Sequence, residues 1–351
     1  MKILLIMGAL GGVQRHVEIL AEEFLMRGHS VSLVAPRQYS GNLNIPIVRL
    51  NITHNLSHFD IINMIKVFIL VYKNKYDIVH GHSSKGGAYI AFLMFFKKTK
   101  TVFSPHAFYT FDSRGRFKVK FFQIIEKLIV KCSNLLLLSS NHELRHARNF
   151  LKINQKIITI PNCLYRADNS FKNLNKSDLK KTLKIGFCGR LCYQKNPLRF
   201  INILNSLPNN FSYKAFILGT GEYLSELQTH VKKLGLENNV FFIKSNLANF
   251  FSTIDILLIT SRYEGNAYLY QDSLINSTPI ISTNVGGSDF YIENGYNGFI
   301  FSTNSQAIQA LISIKNNRLL NVLKRNCRNI QKKYKVSDMV ENHLSSYMDI
   351  L

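Results

Sequence analysis

Short apolar runs alternate along the chain with longer stretches in which apolar residues recur every three or four positions. Residues 3–7 read as a buried strand and 8–12 as a glycine-rich turn. Residues 13–26 read as a helix with Val13, Val17, Leu20, Ala21 and Phe24 on one face. Gly28 ends that helix and 31–35 form the next strand, a βαβ opening. Helical patterns at 61–72, 86–96 and 117–130 then interleave with strands at 77–80, 101–104, 135–139 and 157–160. Such alternation predicts a parallel sheet covered on both faces.

After Pro161-Asn162 the chain turns polar and rich in Asn, Lys and Ser, and 166–182 is the expected linker. A second α/β pattern follows, with strands at 184–188, 213–218, 240–243, 256–260 and 279–283. Its helices are expected at 197–206, 223–234, about 267–276 and 305–334. The expected organisation is α/β, with one domain over 1–165 and another over 183–335. A closing helix at 336–351 is expected to pack back on the first. In open parallel sheets ligands bind beyond the carboxyl ends of the strands, so a cleft faced by the two domains is the expected site.

The 351 residues, 46% hydrophobic and 19% charged, suit two globular domains and exclude a disordered chain. Five scattered cysteines form no CxxC pair and no zinc-spaced cluster, which reads as reduced cytosolic thiols. The longest apolar run, 88–96, is far short of the ~20 residues of a spanning helix. Charged residues soon after the apolar start favour a buried first strand over a secretion signal. The net charge of +23 is uneven, with 27 Lys and Arg against 10 Asp and Glu through Thr182 and 17 against 11 afterwards. Such a surface attracts nucleic acid, anionic lipid or a phosphorylated substrate, and charge alone does not choose among them.

Gly11 and Gly12 stand between a strand and a helix start, where free amides suit an anion. A dinucleotide fold would place GxGxxG there and an acid after the next strand. This chain has GALGG and Pro36-Arg37, which disfavours nicotinamide or flavin. In the second domain the strand ending at Cys188 runs into Gly189-Arg190-Leu191, and Lys195-Asn196-Pro197 opens a helix. Arg190 can fork onto phosphate oxygens and Lys195 can set a point charge beside them, which suits a diphosphate leaving group. Alone, the pair reads equally as two solvated cations. Glu264 lies in a loop after a strand, placed to grip sugar hydroxyls, and Asp272 lies more than a turn into the expected helix, where a carboxylate can take ribose hydroxyls. An ordinary acidic helix start is the competing reading of that pair. No Asp-x-Asp occurs, so a paired-carboxylate magnesium clamp is missing and cations are expected in its place.

In order, the segments GGVQRHV, VHGHSSKGG, SPHAF, IPN, GRLCYQKNP, LGTGE, SRYEGNAYLYQD and VGG…NGYNGFIF resemble the family 4 retaining glycosyltransferases, over 1 to about 301. The resemblance implies the GT-B fold, two Rossmann-like domains. It gives Arg190 and Lys195 to the donor diphosphate, Glu264 to the donor sugar, and backbone amides of Asn266, Ala267 and Tyr268 to sugar and phosphates. Asp272 would take the ribose, and His106 would match the histidine bordering the reacting sugar. Gly11 and Gly12 would allow close approach of donor and acceptor. No metal or other cofactor is implied, and the nucleotide sugar is a substrate. Similar proteins extend surface polysaccharides on polyprenyl diphosphate carriers, which implies a lipid-linked glycan acceptor for the basic first domain.

Two positions depart from the family pattern. Asp272 stands where the family has Glu, one methylene shorter, and Phe290 stands where it has an acid, with Asp289 adjacent. They keep a non-catalytic glycosyltransferase-like partner in view, and a GT-B epimerase acting on the same donor is a separate alternative. Nucleic acid is not expected as a partner, since no recognised binding module is present. Arg114, Arg116, Lys118, Lys120, Lys127 and Lys131 surround Phe117, Phe121, Ile124, Ile125 and Leu128. That segment reads as an interfacial helix on an anionic membrane or as a helix packed on its own sheet with a solvated basic outer face, and both hold if one edge touches lipid. A cytoplasmic protein, peripheral on the inner face of the plasma membrane in the first case, is the expectation.

Overall fold

A computed structural model describes residues 1–53, 57–93, 99–164 and 182–351. The chain divides into two compact units, Met1–Asn162 together with Val336–Leu351, and Cys163–Lys335. The closing helix thus belongs to the first unit. Apart from Thr182, the expected linker lies outside the described residues.

The first unit is built on β1 (Lys2–Met7), β2 (Ser30–Pro36), β3 (Ile47–Leu50), β4 (Ile78–His82), β5 (Lys100–Ser104), β6 (Leu135–Leu138) and β7 (Ile157–Thr159). These form one parallel sheet in the order β3-β2-β1-β4-β5-β6-β7. Its helices are α1 (Gly12–Met26), α2 (Phe59–Asn74), α3 (Ser83–Ala91), α4 (Arg116–Lys131) and α5 (Asn141–Arg145). The helix expected at 86–96 starts earlier, at Ser83, and ends at Ala91, while 94–96 lie outside the described residues. The short edge strand β3 has no counterpart in the hydrophobic pattern, because only Leu50 of its four residues is buried.

Strand side chains point alternately to the two faces of a sheet. Leu4, Ile6, Val79 and Phe103 therefore share one face, in a core with Val67 and Val71 of α2, Ile90 of α3 and Ile129 of α4. His80 and His82 point to the other face.

The second unit carries β8 (Leu183–Cys188), β9 (Tyr213–Leu218), β10 (Val240–Ile243), β11 (Ile256–Ile259), β12 (Ile280–Thr283) and β13 (Gly298–Phe301), all parallel, in the order β10-β9-β8-β11-β12-β13. Its helices are α6 (Pro197–Asn205), α7 (Leu224–Lys233), α8 (Leu247–Thr253), α9 (Leu269–Ile275), α10 (Ser288–Tyr291), α11 (Asn304–Ile314) and α12 (Asn317–Gln331). The single helix expected at 305–334 is two, because the Asn316 side chain accepts a 2.9 Å hydrogen bond from Arg318 N and starts α12 afresh. Then α13 (Val336–Met348) closes the chain in the first unit, where it packs on α1 and Tyr347 lies edge-on to Phe24.

Helix α4 packs on the core of its own unit. Ile129 and Val130 are buried and Ile125 packs on the core, so the helix is seated on its sheet. Phe117, Phe121, Ile124 and Leu128 face outward instead, with Phe117 90% exposed. On the same core, α2 leaves Ile61, Ile65, Ile69 and Tyr72 exposed. Among the described residues no helix is long and apolar enough to cross a membrane.

Candidate active site

In the second unit the expected residues gather at the carboxyl ends of β8 and β11. Lys195 Nζ lies 2.5 Å from Glu264 Oε1, and Ser261 Oγ donates to the same oxygen at 2.6 Å. Gln194 Nε2 donates to Glu264 Oε2 at 3.3 Å and to the Tyr263 carbonyl at 3.2 Å, while its Oε1 accepts from Arg190 Nη2 at 3.1 Å. Arg190 is exposed, whereas Glu264 is buried. A cavity lined in part by Cys188, Lys195, Ser261, Glu264 and Ala267 opens beside the pair.

Backbone ties hold the two loops together. Arg262 N donates to the Gln194 carbonyl at 2.8 Å, Arg262 Nη1 to the Tyr193 carbonyl at 3.1 Å, and Thr260 Oγ1 to the Asn196 carbonyl at 3.0 Å. Asn196 takes a left-handed conformation (φ 52°) just before Pro197, which bends the chain from the Lys195 loop into α6. Behind the Glu264 loop stands Gly286. A Cβ there would lie 2.1 Å from the Gly265 carbonyl oxygen and 2.3 Å from that of Glu264, so only glycine allows the two loops this approach.

Helix α9 starts at Leu269 rather than near 267. Asn266, Ala267 and Tyr268 therefore precede it, and Asp272 sits in its first turn instead of beyond it. The buried Asn266 side chain donates to Tyr291 Oη at 3.1 Å. Burial pushes the Cys188 thiol up to about 12, with the Asp272 carboxylate adding to the rise and Lys195 opposing it. Cys188, the last residue of β8, thus stays a neutral thiol. Phe290 lies in α10, packed partly on the neighbouring core, and Asp289 next to it is exposed.

In the first unit Gly11, with φ 77°, caps α1, and Gly12 is its first residue. Both are exposed. His106 follows β5 in a left-handed conformation (φ 56°) that is uncommon for a residue with a Cβ. It is one of a group that the sequence pattern did not single out. Period two in β4 puts His80 and His82 on one face, α1 brings His16, and α13 brings His343 and Tyr347 one turn apart. His82 Nδ1 and His106 Nε2 share a hydrogen bond at 2.9 Å, and His80 bonds to Tyr347 Oη at 2.6 Å and Ser104 Oγ at 2.8 Å. Burial holds all five imidazoles neutral, pushing His106 down to about 3 and His343 to about 4, with mutual repulsion adding to the shift in His106, His16, His80 and His82. The signals were present in HGH and QRHV, but only the fold shows that they meet.

Beyond His106, Glu126 of α4 accepts 2.5 Å hydrogen bonds from Tyr109 N and Thr110 Oγ1, and Thr110 Oγ1 lies 2.7 Å from His146 Nε2. The loop carrying His106 is thereby tied to α4.

Residues 10–165 match the model of Glycosyltransferase Family 4, and 169–334 match that of Glycosyl transferases group 1. The chain is 25% identical, over 83% of its length and 80% of the relative's, to UDP-Gal:alpha-D-GlcNAc-diphosphoundecaprenol alpha-1,3-galactosyltransferase of Escherichia coli. Sucrose-phosphate synthase from Thermosynechococcus elongatus has the same fold (TM-score 0.83, 16% identity, 99% of this chain and 98% of that one). So does Anabaena Alr3699/HepE, solved in complex with UDP (TM-score 0.78, 18% identity, 99% and 100%). The two matched models and the paired parallel sheets make this chain a glycosyltransferase of the GT-B fold, a family 4 region followed by a group 1 region.

Proposed function

We propose that the enzyme moves a sugar from a UDP-linked donor to a hydroxyl of a lipid-linked glycan, with retention at the anomeric carbon, in the assembly of a surface polysaccharide. The observation that carries this reading is the linked cluster of Arg190, Gln194, Lys195 and Glu264, in which Lys195 and the buried Glu264 line one small cavity and Arg190 is joined to them through Gln194. The UDP-Gal donor and diphosphoundecaprenol-linked acceptor in the name of the Escherichia coli relative support it, as does the UDP held by the Anabaena protein.

In this reading Arg190 and Lys195 stabilise the departing diphosphate, whose oxygen takes the acceptor proton on the face where the bond breaks, so no protein nucleophile is needed. An ammonium has three donors. Lys195 can therefore keep its bond to Glu264 and still offer N–H groups to phosphate. Glu264 accepts hydrogen bonds from the donor sugar, amides of Asn266, Ala267 and Tyr268 serve sugar and phosphates, and Asp272 takes the ribose. His106 serves the reacting sugar, and Gly11 and Gly12 leave room for the substrates. The two cations take the place of a metal at the diphosphate.

The exposed apolar stripe of α4, flanked by Arg116, Lys118, Lys120, Lys127 and Lys131, supports peripheral binding to the anionic inner face of the plasma membrane, where a lipid-linked acceptor would be met. Co-sedimentation with phosphatidylglycerol vesicles, weakened by salt and by Phe117→Ser with Ile124→Ser, is expected. Equal sedimentation with neutral vesicles would count against it.

The central test is a thermal-shift panel of UDP, GDP and their sugars, followed by anomeric analysis of the product. UDP and one UDP-sugar should raise the midpoint, since a ligand of the folded state stabilises it. Arg190→Ala should abolish turnover. Full turnover in Arg190→Ala, or an inverted product, would overturn the mechanism. UDP binding without transfer to any acceptor would instead indicate a non-catalytic partner, and conversion of the donor without acceptor an epimerase.

A further inference from the structure

We propose that His16, His82 and His106 form a binding site for one borderline-soft divalent transition-metal ion of the zinc or cobalt class. Each offers a ring nitrogen, and the three nitrogens lie within 4.8 Å of one another. A tetrahedral ion with bonds of about 2.0–2.1 Å sets its ligand nitrogens roughly 3.3 Å apart, so small ring rotations close the set. The three come from separate elements, α1, β4 and the loop after β5, each fixed by the sheet. His16 and His106 rings meet edge-on with centroids 4.7 Å apart, and His82 and His106 stack at 5.2 Å.

A second, independent observation points to a ligand. His82 is wholly buried, yet its Nε2 has no hydrogen-bond partner. A buried polar nitrogen left in that state is costly unless something meets it. Its neighbour His80 is not in that position, because Tyr347 and Ser104 engage both of its nitrogens. His106 is the least buried of the three. An all-imidazole set selects zinc, cobalt, nickel or copper over magnesium or calcium, whose preferred ligands are oxygens.

The proposal departs from the expectation that the chain takes no metal, because the histidines that meet here are far apart in the sequence. Binding of the ion stands on these residues alone. One consequence rests on the proposed function: an ion held by His106 withdraws it from the reacting sugar, so the metal acts as a reversible inhibitor of transfer.

The test is titration of chelator-stripped protein with Co²⁺, read by its visible absorption bands. One equivalent should bind, Zn²⁺ should displace it, and His16→Gln and His82→Gln should each lose the bands while the exposed His58→Gln keeps them. Circular dichroism checks the fold of each variant. A measurement on the wild type covers variants that do not fold: Co²⁺ should broaden the histidine ring NMR signals of His16, His82 and His106 first, ahead of His58, His142 and His230. Absence of saturable Co²⁺ binding, bands unchanged in both variants, or broadening confined to the other histidines would overturn the site. If Co²⁺ binds as expected but transfer is unaffected, the site stands and the role given to His106 falls.

Discussion

Lys195 Nζ and Glu264 Oε1 stand 2.5 Å apart with side chains only 17% and 6% exposed, so the cation assigned to phosphate and the acid assigned to sugar hold each other in place. Removing one partner of such a pair strands the other, at a cost of about 3–5 kcal/mol when burial is complete. Lys195→Met is therefore expected to lower stability by roughly 3 kcal/mol. Lys195→Met combined with Glu264→Gln should recover most of that loss while turnover stays abolished. Denaturant midpoints and transfer rates on the two singles and the double check this. A double variant as unstable as Lys195→Met would show that the pair does not organise the loop.

Gly286 is the wall behind that loop. The Cβ of Gly286→Ala would overlap the carbonyls of Glu264 and Gly265, and because backbone cannot yield like a side-chain tip, the loop must move. A shift of about 1 Å in a positioned group can cost on the order of a hundredfold in rate. We expect kcat to fall that far, with a thermal midpoint lowered by only a few degrees. Near-wild-type kcat would mean that Glu264 needs no fixed position.

Asp272 can be tested against the ribose directly. A hydrogen bond to a charged group contributes about 1.5–3 kcal/mol, so Asp272→Asn should weaken UDP binding roughly tenfold to a hundredfold. If the carboxylate takes the 2′-hydroxyl, the wild type should lose a similar factor with 2′-deoxy-UDP and the variant should lose little more. Independent, additive losses in calorimetry would remove Asp272 from the ribose.

What the sequence showed and what it hid follow from the distances along the chain over which each feature is encoded. Strand and helix identity is local, and a short apolar run or a period of 3.6 over a few residues was enough to read 3–7, 13–26 or 213–218. The break between α11 and α12 was not legible because Asn316 caps by a side-chain hydrogen bond, with no Gly or Pro to mark the turn. The loops of Lys195 and Glu264 were found through motif resemblance, and Gln194, Ser261 and Gly286 lie inside the same motifs, but how they hold the loops is visible only when β8, β11 and β12 lie side by side. The histidine group is the same case: HGH is visible as two residues of one strand face, and the convergence of His16, His106 and His343 on it is a property of the fold alone. The apolar stripe of α4 shows the reverse limit, since periodicity marks a face without saying what lies against it.

Glu126 joins that helix to the loop bearing His106, and its titration gives a prediction with a definite sign. Its carboxyl is buried, and burial raises it from 4.5 to about 7 despite the hydrogen bonds from Thr110 and Tyr109 that favour the charged form. Between those values the folded protein keeps a proton that the unfolded chain releases. The contribution of Glu126 to stability is therefore fully present below the unfolded value and declines as pH rises toward about 7, by roughly 3 kcal/mol in all. Other groups act in the opposite sense: His146, pushed down to about 4 by burial, and the five buried histidines all make the fold less stable as pH drops below 6.5. Comparison with Glu126→Gln cancels those groups, because the amide cannot ionise and resembles the protonated acid in offering a donor to Thr110. We expect the variant to gain stability relative to the wild type as pH rises from about 5 to about 7, in denaturant midpoints taken at each pH. A difference that stays flat across that range would mean that Glu126 titrates as an ordinary carboxylate and that its ties to Tyr109 and Thr110 do not depend on its proton.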